Sequence, residues 1–210
     1  MELGRLQVII DVGPAGRDPI DLVRRVIDGG APLVQVRAKG VTDRVAYVTA
    51  TRIVEVCRLN GVQCVINDRV DIALAVGADG CHVGEHDLGV SVVRRLVGGA
   101  GIVGGTARNP ADAARHALDG ATYVGVGPVY PTMSKSGLPD PIGVGMIGAV
   151  ADEAGIAVIA ISGVTLARVP ELMAAGAYGV AVIGAIAGAE DPCGMTARFV
   201  EAIARCAGGL

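Results

Sequence analysis

Short apolar runs bounded by turn residues recur along the whole chain: Leu6–Ile10, Cys64–Ile66, Ile102–Gly105 and Ala157–Ile161. Between them fall four further runs that share a mark, a Gly-Ala turn leading into the strand: GGAPLVQV, VGADGCHV, DGATYVGV and AGAYGVAV, with glycines at Gly30, Gly77, Gly120 and Gly176. The marked runs are spaced by about two minimal βα units, so every second unit carries the mark and eight strands result. Each run is followed by residues at helical spacing, such as Asp21, Leu22, Val23, Val26 and Ile27, or Leu166, Val169, Leu172 and Met173. Strand and helix alternating at this pitch predict a parallel sheet, and eight units close into a barrel more economically than they form an open sheet. The expected fold is therefore α/β, a single (β/α)8 TIM barrel over residues 1–210, with no linker, low-complexity segment or charge run to mark a second domain.

In such a barrel the chemistry sits on loops at the C-terminal ends of the strands, so polar residues that end a strand run are the candidates. The second run ends in Gln35-Val36-Arg37-Ala38-Lys39, and strand alternation turns Gln35, Arg37 and Lys39 to one side, inward and upward. Two cations and an amide on one face suit an anion; the plainer reading is the start of a solvated loop. The third run ends in Asn67-Asp68, and the fourth is followed by Gly84-Glu85-His86-Asp87. Carboxylates at adjacent strand ends beside cations call for a divalent cation with a polyphosphate, and Mg2+ takes one or two carboxylates with phosphate oxygens and water. Asp68 and Asp87 fit that role, with helix capping as the competing use of each. The sixth run leads into a polar loop, Gly127 to Gly137, and the seventh and eighth end in Ser162-Gly163-Val164-Thr165 and Ile183-Gly184-Ala185-Ile186. Glycine turns there free backbone N–H groups for a phosphate. His82-Val83-Gly84-Glu85-His86 spells a zinc-protease motif, but that motif works only on a helix, and here it straddles a strand end and a glycine.

Composition narrows the picture. Half of the chain is hydrophobic (51%) and only 2% is aromatic, so the core must be built from Val, Ile, Leu and Ala, as in strands buried on both faces. The lack of Trp and the net charge of −3 remove both the stacking platform and the positive field of a nucleic-acid binder. Five scattered cysteines, odd in number and without a C-x-x-C pair, disfavour a disulfide framework and a zinc site and read as reduced and mostly buried. The N-terminus reads as a strand and not as a secretory signal, which implies the cytoplasm. The uncharged stretch Leu172–Ala189 approaches a membrane span in length, but its glycines fit a helix end, a turn and a strand better. No nucleic acid and no membrane is expected as a partner, and nothing in the sequence opposes a homo-oligomer.

Taken together, QVRAKG, INDRVDIAL, GADGCHVGEHDL, GVGPVYPTMSK, ISGVT and VIGAI are similar in order and spacing to thiamine phosphate synthases, over nearly the whole chain. The resemblance implies that Gln35, Arg37, Lys39 and Asn67 bind an aminopyrimidine diphosphate and that Asp68 and Asp87 bind Mg2+. It places the family's hydroxyl after the fifth strand, usually Ser, on Thr106, and its Thr-x-Thr-Lys loop on Thr132, Ser134 and Lys135. There the hydroxyls meet a thiazole phosphate and the lysine meets the diphosphate. Phosphate-binding backbone positions fall on Gly163, Ile183 and Gly184. The implied chemistry is a dissociative displacement in which Arg37, Lys39 and Lys135 stabilise the departing diphosphate, and no general base is needed to form the new bond.

Departures from the family pattern are Ala38 for an acid, Glu85 for Gln, Arg108 for His, Ser162 for Gly and Gly184 for Ser. None removes a metal ligand or a diphosphate cation. Ala38 should face away from the site, whereas Ser162 and Gly184 bear on how the thiazole phosphate is held. The alternatives are a thiazole tautomerase of the same fold, which uses a histidine where Arg108 stands, and a non-catalytic phosphate-binding barrel.

Overall fold

The computed structural model describes residues 2–13, 17–132, 137 and 139–208. Eight parallel strands close on themselves in chain order: β1 (Leu6–Asp11), β2 (Leu33–Arg37), β3 (Gln63–Asn67), β4 (Gly80–Val83), β5 (Ile102–Ala107), β6 (Tyr123–Val126), β7 (Ala157–Ile161) and β8 (Gly179–Val182). The helices around them are α1 (Pro19–Asp28), α2 (Asp43–Leu59), α3 (Val70–Val76), α4 (Val90–Val97), α5 (Pro110–Leu118), α6 (Val144–Ala154), α7 (Val169–Ala174), α8 (Gly184–Ala187) and α9 (Pro192–Ala207). A 3-10 turn, Leu166–Arg168, precedes α7. The (β/α)8 barrel expected from the apolar pattern is the fold observed.

The Gly-Ala marks have a common cause. Gly30, Gly77, Gly120 and Gly176 have φ of +85°, +66°, +89° and +100°, the left-handed region in which a Cβ is strained. The alanine after each donates its N–H back five residues, to Val26, Ala73, His116 and Leu172, at 2.9–3.1 Å. Each pair thus caps its helix in the manner of a Schellman stop and turns the chain into the next strand. In the Leu172–Ala189 stretch the same device ends α7 before β8 begins, and no helix among the described residues is long and apolar enough to cross a membrane.

Alternate strand residues feed two separate cores. Outward residues such as Val34, Val36, Val124 and Val126 pack against the helices, and Ala38 joins that outer layer, away from the barrel mouth. Inward residues fill the barrel, where Ile9, Tyr123, Ile159 and Ala181 form an apolar cluster. The register places Asn67, His82, Gly104, Tyr123 and Ala157 level with one another across β3 to β7. His82 and Tyr123 are large for that space, and glycines make room for them. A Cβ on Gly104 would collide with both rings, and one on Gly125 would reach His82 Cε1 at 3.1 Å.

Gly104→Ala is therefore expected to destabilise the barrel by about 1–3 kcal/mol through overpacking, read as a lower midpoint in denaturant unfolding with an unchanged slope. A midpoint equal to that of the unaltered protein would show that the rings can give way.

Candidate active site

At the C-terminal ends of the strands lies a cavity of about 690 Å³. Among the sequence-derived candidates, Gln35, Arg37, Lys39, Asn67, Asp68, Asp87, Thr106, Thr132, Gly163, Ile183 and Gly184 line it. Ser134 and Lys135 lie outside the described residues. Lys39 stands beyond the end of β2, yet its side chain joins those of Gln35 and Arg37 at the mouth, as the alternation requires.

The cations at this rim are not free of carboxylates. Arg37 Nη1 bonds Asp11, the last residue of β1 and its level neighbour in the sheet. Lys39 Nζ lies 2.8 Å from Asp68 Oδ2. Neither Asp68 nor Asp87 serves as a helix cap: α3 is preceded by Arg69 and α4 by Gly89, without side-chain capping bonds at either. Asp68 instead holds a left-handed backbone, φ +65°, with its N–H donating to the His82 carbonyl at 2.7 Å. Asp87 closes a tight turn, its Oδ2 accepting the Gly84 N–H at 2.8 Å. The two carboxyl groups meet at the mouth. Partial burial, and then contact with Asp68, push the Asp87 carboxyl above the usual carboxylate range, while the Gly84 N–H and Lys39 pull it down.

Across the cavity the strand-six loop runs along the end of β7, with Val129 N and Tyr130 N donating to the Ile161 and Ser162 carbonyls at 3.0 and 3.3 Å. Gly163 packs beneath it, where a Cβ would come within 2.7 Å of Pro131 O and Tyr130 Cβ. Ser162 and Gly163 are both left-handed, φ +76° and +67°, a backbone conformation that glycine adopts without the Cβ strain Ser162 bears. Ile183 and Gly184 form the turn into α8 on the neighbouring strand.

Three contributors escaped the sequence reading. Asp11 stands one residue past the apolar run Leu6–Ile10, and its alternation with Gln7 and Ile9 turns it inward. Arg168 lines the cavity beside Gly163, with its guanidinium 4.0 Å over the Tyr130 ring and Nη1 on the Gly163 carbonyl. Tyr130 in turn donates to Glu171, and burial followed by that bond pushes its hydroxyl up to about 12. The helical spacing of Leu166, Val169, Leu172 and Met173 spans Arg168 but says nothing of its direction, which the 3-10 turn Leu166–Arg168 sets. His82 was weighed only as part of the zinc spelling; it is an inward residue of β4, bonded to Tyr123 and Thr106.

Fold and rim define a (β/α)8 barrel whose mouth pairs a carboxylate–cation cluster with a glycine-lined turn suited to a phosphate. The model of the family described as thiamine monophosphate synthase matches residues 6–186. A thiamine-phosphate synthase of Salinispora arenicola is 50% identical over 96% of this chain and 98% of its own, and one of Roseiflexus castenholzii is 39% identical over 96% and 89%. Among solved structures, a thiamine phosphate pyrophosphorylase from Pyrococcus furiosus matches with a TM-score of 0.87 at 29% identity over 97% of each chain. A 3-hexulose-6-phosphate synthase from Salmonella typhimurium, at 16% identity and a TM-score of 0.73, shares the barrel alone. The chain belongs to the thiamine monophosphate synthase family, a family of transferases.

A carboxyl whose folded-state pKa lies above its unfolded value binds its proton more tightly when folded, so its ionisation costs stability above that pKa. Asp87→Asn keeps an oxygen for the Gly84 N–H and removes the charge. It is expected to raise the thermal midpoint at neutral pH in metal-free buffer and to weaken the loss of stability on going from acidic to neutral pH. A lowered midpoint would show that ionised Asp87 stabilises the fold.

Proposed function

We propose that the protein joins 4-amino-2-methyl-5-(diphosphooxymethyl)pyrimidine to a thiazole phosphate, giving thiamine phosphate and diphosphate. The observation that carries this reading is the meeting of Asp68 and Asp87 with Arg37 and Lys39 on one side of a single cavity, and of Gly163, Ile183 and Gly184 on the other. One side suits a diphosphate and the other a second phosphorylated substrate. The C–O bond of the pyrimidine's methylene breaks with its electron pair leaving on diphosphate, and the thiazole nitrogen supplies the pair for the new C–N bond.

The cluster also fits a divalent cation. Lys39 compensates Asp68, but Asp87 has no cationic partner at salt-bridge distance among the described residues, and two adjoining carboxylates offer the hard oxygen donors that Mg2+ takes. Asp68 and Asp87 would hold it, and it would offset the charge gathering on the departing diphosphate. The chain's own residues perform the rest. Arg37 and Lys39 present positive charge to the diphosphate oxygens, and Lys135 is assigned to the same task. Gln35, 3% exposed at the cavity floor, and Asn67 offer amide groups to the pyrimidine. Thr132 and Ser134 are assigned to the thiazole, whose phosphate rests against the backbone of Gly163, Ile183 and Gly184, with Arg168 as a cation beside it. Holding both partners in line in one cavity accounts for much of the acceleration without a general base. Free cysteines at Cys57, Cys64 and Cys81, all buried, fit a reducing cytoplasm.

Purified protein given magnesium and both phosphorylated substrates should release diphosphate and thiamine phosphate in equal amounts; absence of both products overturns the proposal. Asp68→Ala and Asp87→Ala should each lower turnover by at least about 100-fold, as expected for removing a group that offsets developing charge. Near-normal activity of either variant at low magnesium would show that the two carboxylates hold no metal.

Arg108 donates Nη2 to the Asp140 carbonyl at 3.0 Å, and its Nη1 is buried without a hydrogen-bond partner among the described residues. Arginine at this position cannot give and take a proton near neutral pH. The protein should therefore not aromatise a carboxylated thiazole phosphate, and Arg108→Ala should keep coupling within about 3-fold. Following the thiazole's ultraviolet absorbance without pyrimidine decides this: catalysed conversion there would favour the tautomerase.

A further inference from the structure

Below the cavity floor the barrel holds a row of polar side chains that the reaction outlined above leaves largely unused. Gln7, Gln35, His82 and Tyr123 are 1%, 3%, 8% and 0% exposed. His82 Nδ1 lies 3.0 Å from the Tyr123 hydroxyl and its Nε2 lies 3.1 Å from Thr106 Oγ1. The His82 and Tyr123 rings stack, with centroids 5.5 Å apart. Polar groups this deep are costly unless their hydrogen bonds are made, and β5 and β6 carry Gly104 and Gly125 to make room for these two rings.

The order of donors along the row is set by which ring nitrogen of His82 carries the proton. Gln7 Nε2 is buried without a hydrogen-bond partner among the described residues. Burial keeps the phenol protonated, and with that proton turned to His82 Nδ1 the phenol is the donor of their 3.0 Å contact. An imidazole that accepts at Nδ1 and is neutral carries its proton on Nε2. Nε2–H then donates to Thr106 Oγ1, and the threonine's own proton is turned outward, into the cavity.

We infer that Tyr123 and His82 are positioning residues, a one-way hydrogen-bond chain that makes Thr106 an obligate donor to an anionic oxygen of the leaving diphosphate. This rests on the coupling reaction proposed above. Thr106 stands where that oxygen is drawn: it and Asp87 flank Gly84, at which a Cβ would come within 3.1 Å of Asp87 Oδ2 and 4.0 Å of Thr106 Oγ1. Glycine at that point keeps the space between hydroxyl and carboxylate open.

A double-mutant cycle tests this. Tyr123→Phe keeps the ring and its stack while removing the donor. It should lower kcat about 10-fold, and Thr106→Val about 100-fold, with KM for the thiazole phosphate within about 2-fold in both. The double variant should lose no more than about 2-fold beyond Thr106→Val, because Tyr123 acts only through that hydroxyl. His82→Gln, which keeps a side-chain N–H, should retain more activity than His82→Leu by about 10-fold. Losses that multiply in the double variant, or a Tyr123→Phe enzyme with normal kcat, overturn the inference. Nitrogen NMR of the three histidines in the unaltered protein decides the matter without any variant. His82 as the Nε2–H tautomer at neutral pH supports the chain, and the Nδ1–H tautomer overturns it. Protein that shows the Nε2–H tautomer but forms no thiamine phosphate overturns the coupling reaction and leaves the hydrogen-bond chain standing.

Discussion

Like charges brought together at the mouth of a barrel must be compensated, and the repulsion between Asp68 and Asp87 organises everything above the strands. Desolvation and the nearness of Asp68 both oppose ionisation of Asp87, whose carboxyl is pushed above the usual range. Part of the compensation is local. Lys39 reaches Asp68 at 2.8 Å, and Arg37 is occupied with Asp11. These pairs are half-open to water and contribute little to stability as isolated salt bridges. Their value lies in what they leave over: a cluster whose charges balance fully only when a cation and a polyanion arrive together. A protein built for stability alone would not place Asp68 in a left-handed conformation to achieve this.

The floor of the site answers to a different constraint, the fixed interior volume of an eight-stranded barrel. Inward positions on β1, β7 and β8 carry Ile9, Ile159 and Ala181, whereas β5 and β6 give up side chains at Gly104 and Gly125. The space released is filled by His82 and Tyr123 and not by further aliphatic groups. Packing and polarity are thereby joined: the glycines that admit the rings also fix the hydrogen bonds that end at Thr106. The opposite rim is held in a comparable way, with Gly163 under the strand-six loop and Arg168 clamped between the Tyr130 ring and the Gly163 carbonyl.

The barrel was legible because its signals are local and repeated. Strands buried on both faces read as short Val- and Ile-rich runs, and the Gly-Ala marks are helix stops whose left-handed glycines have a direct sequence signature. Rim residues were legible where alternation within a single strand decides direction, as for Gln35, Arg37 and Lys39. What alternation cannot reveal is the partner. Arg37 and Lys39 read as cations awaiting an anion, and each holds a carboxylate from a neighbouring strand end, Asp11 or Asp68. The capping alternative for Asp68 also needed coordinates, because a positive φ leaves no trace in residue type for an Asp. The His82–Tyr123 pair was hidden for the same reason, since it joins β4 to β6 through the barrel interior, and the helical spacing around Arg168 does not show that a 3-10 turn aims it at the cavity.

The central claim is that the two aspartates, Arg37 and Lys39 form one charge-balanced site for a divalent cation and a diphosphate, not two independent sites. Calorimetric titration of the protein with Mg2+, in the absence and presence of saturating inorganic diphosphate, tests it directly once the affinity of Mg2+ for diphosphate in buffer is subtracted. Coupling between ligands is reciprocal, and a coupling of typical size would tighten Mg2+ binding by about 5- to 150-fold when diphosphate is present, with an equal tightening of diphosphate by Mg2+. Unchanged Mg2+ affinity, or diphosphate binding that persists undiminished without the metal, would contradict the account.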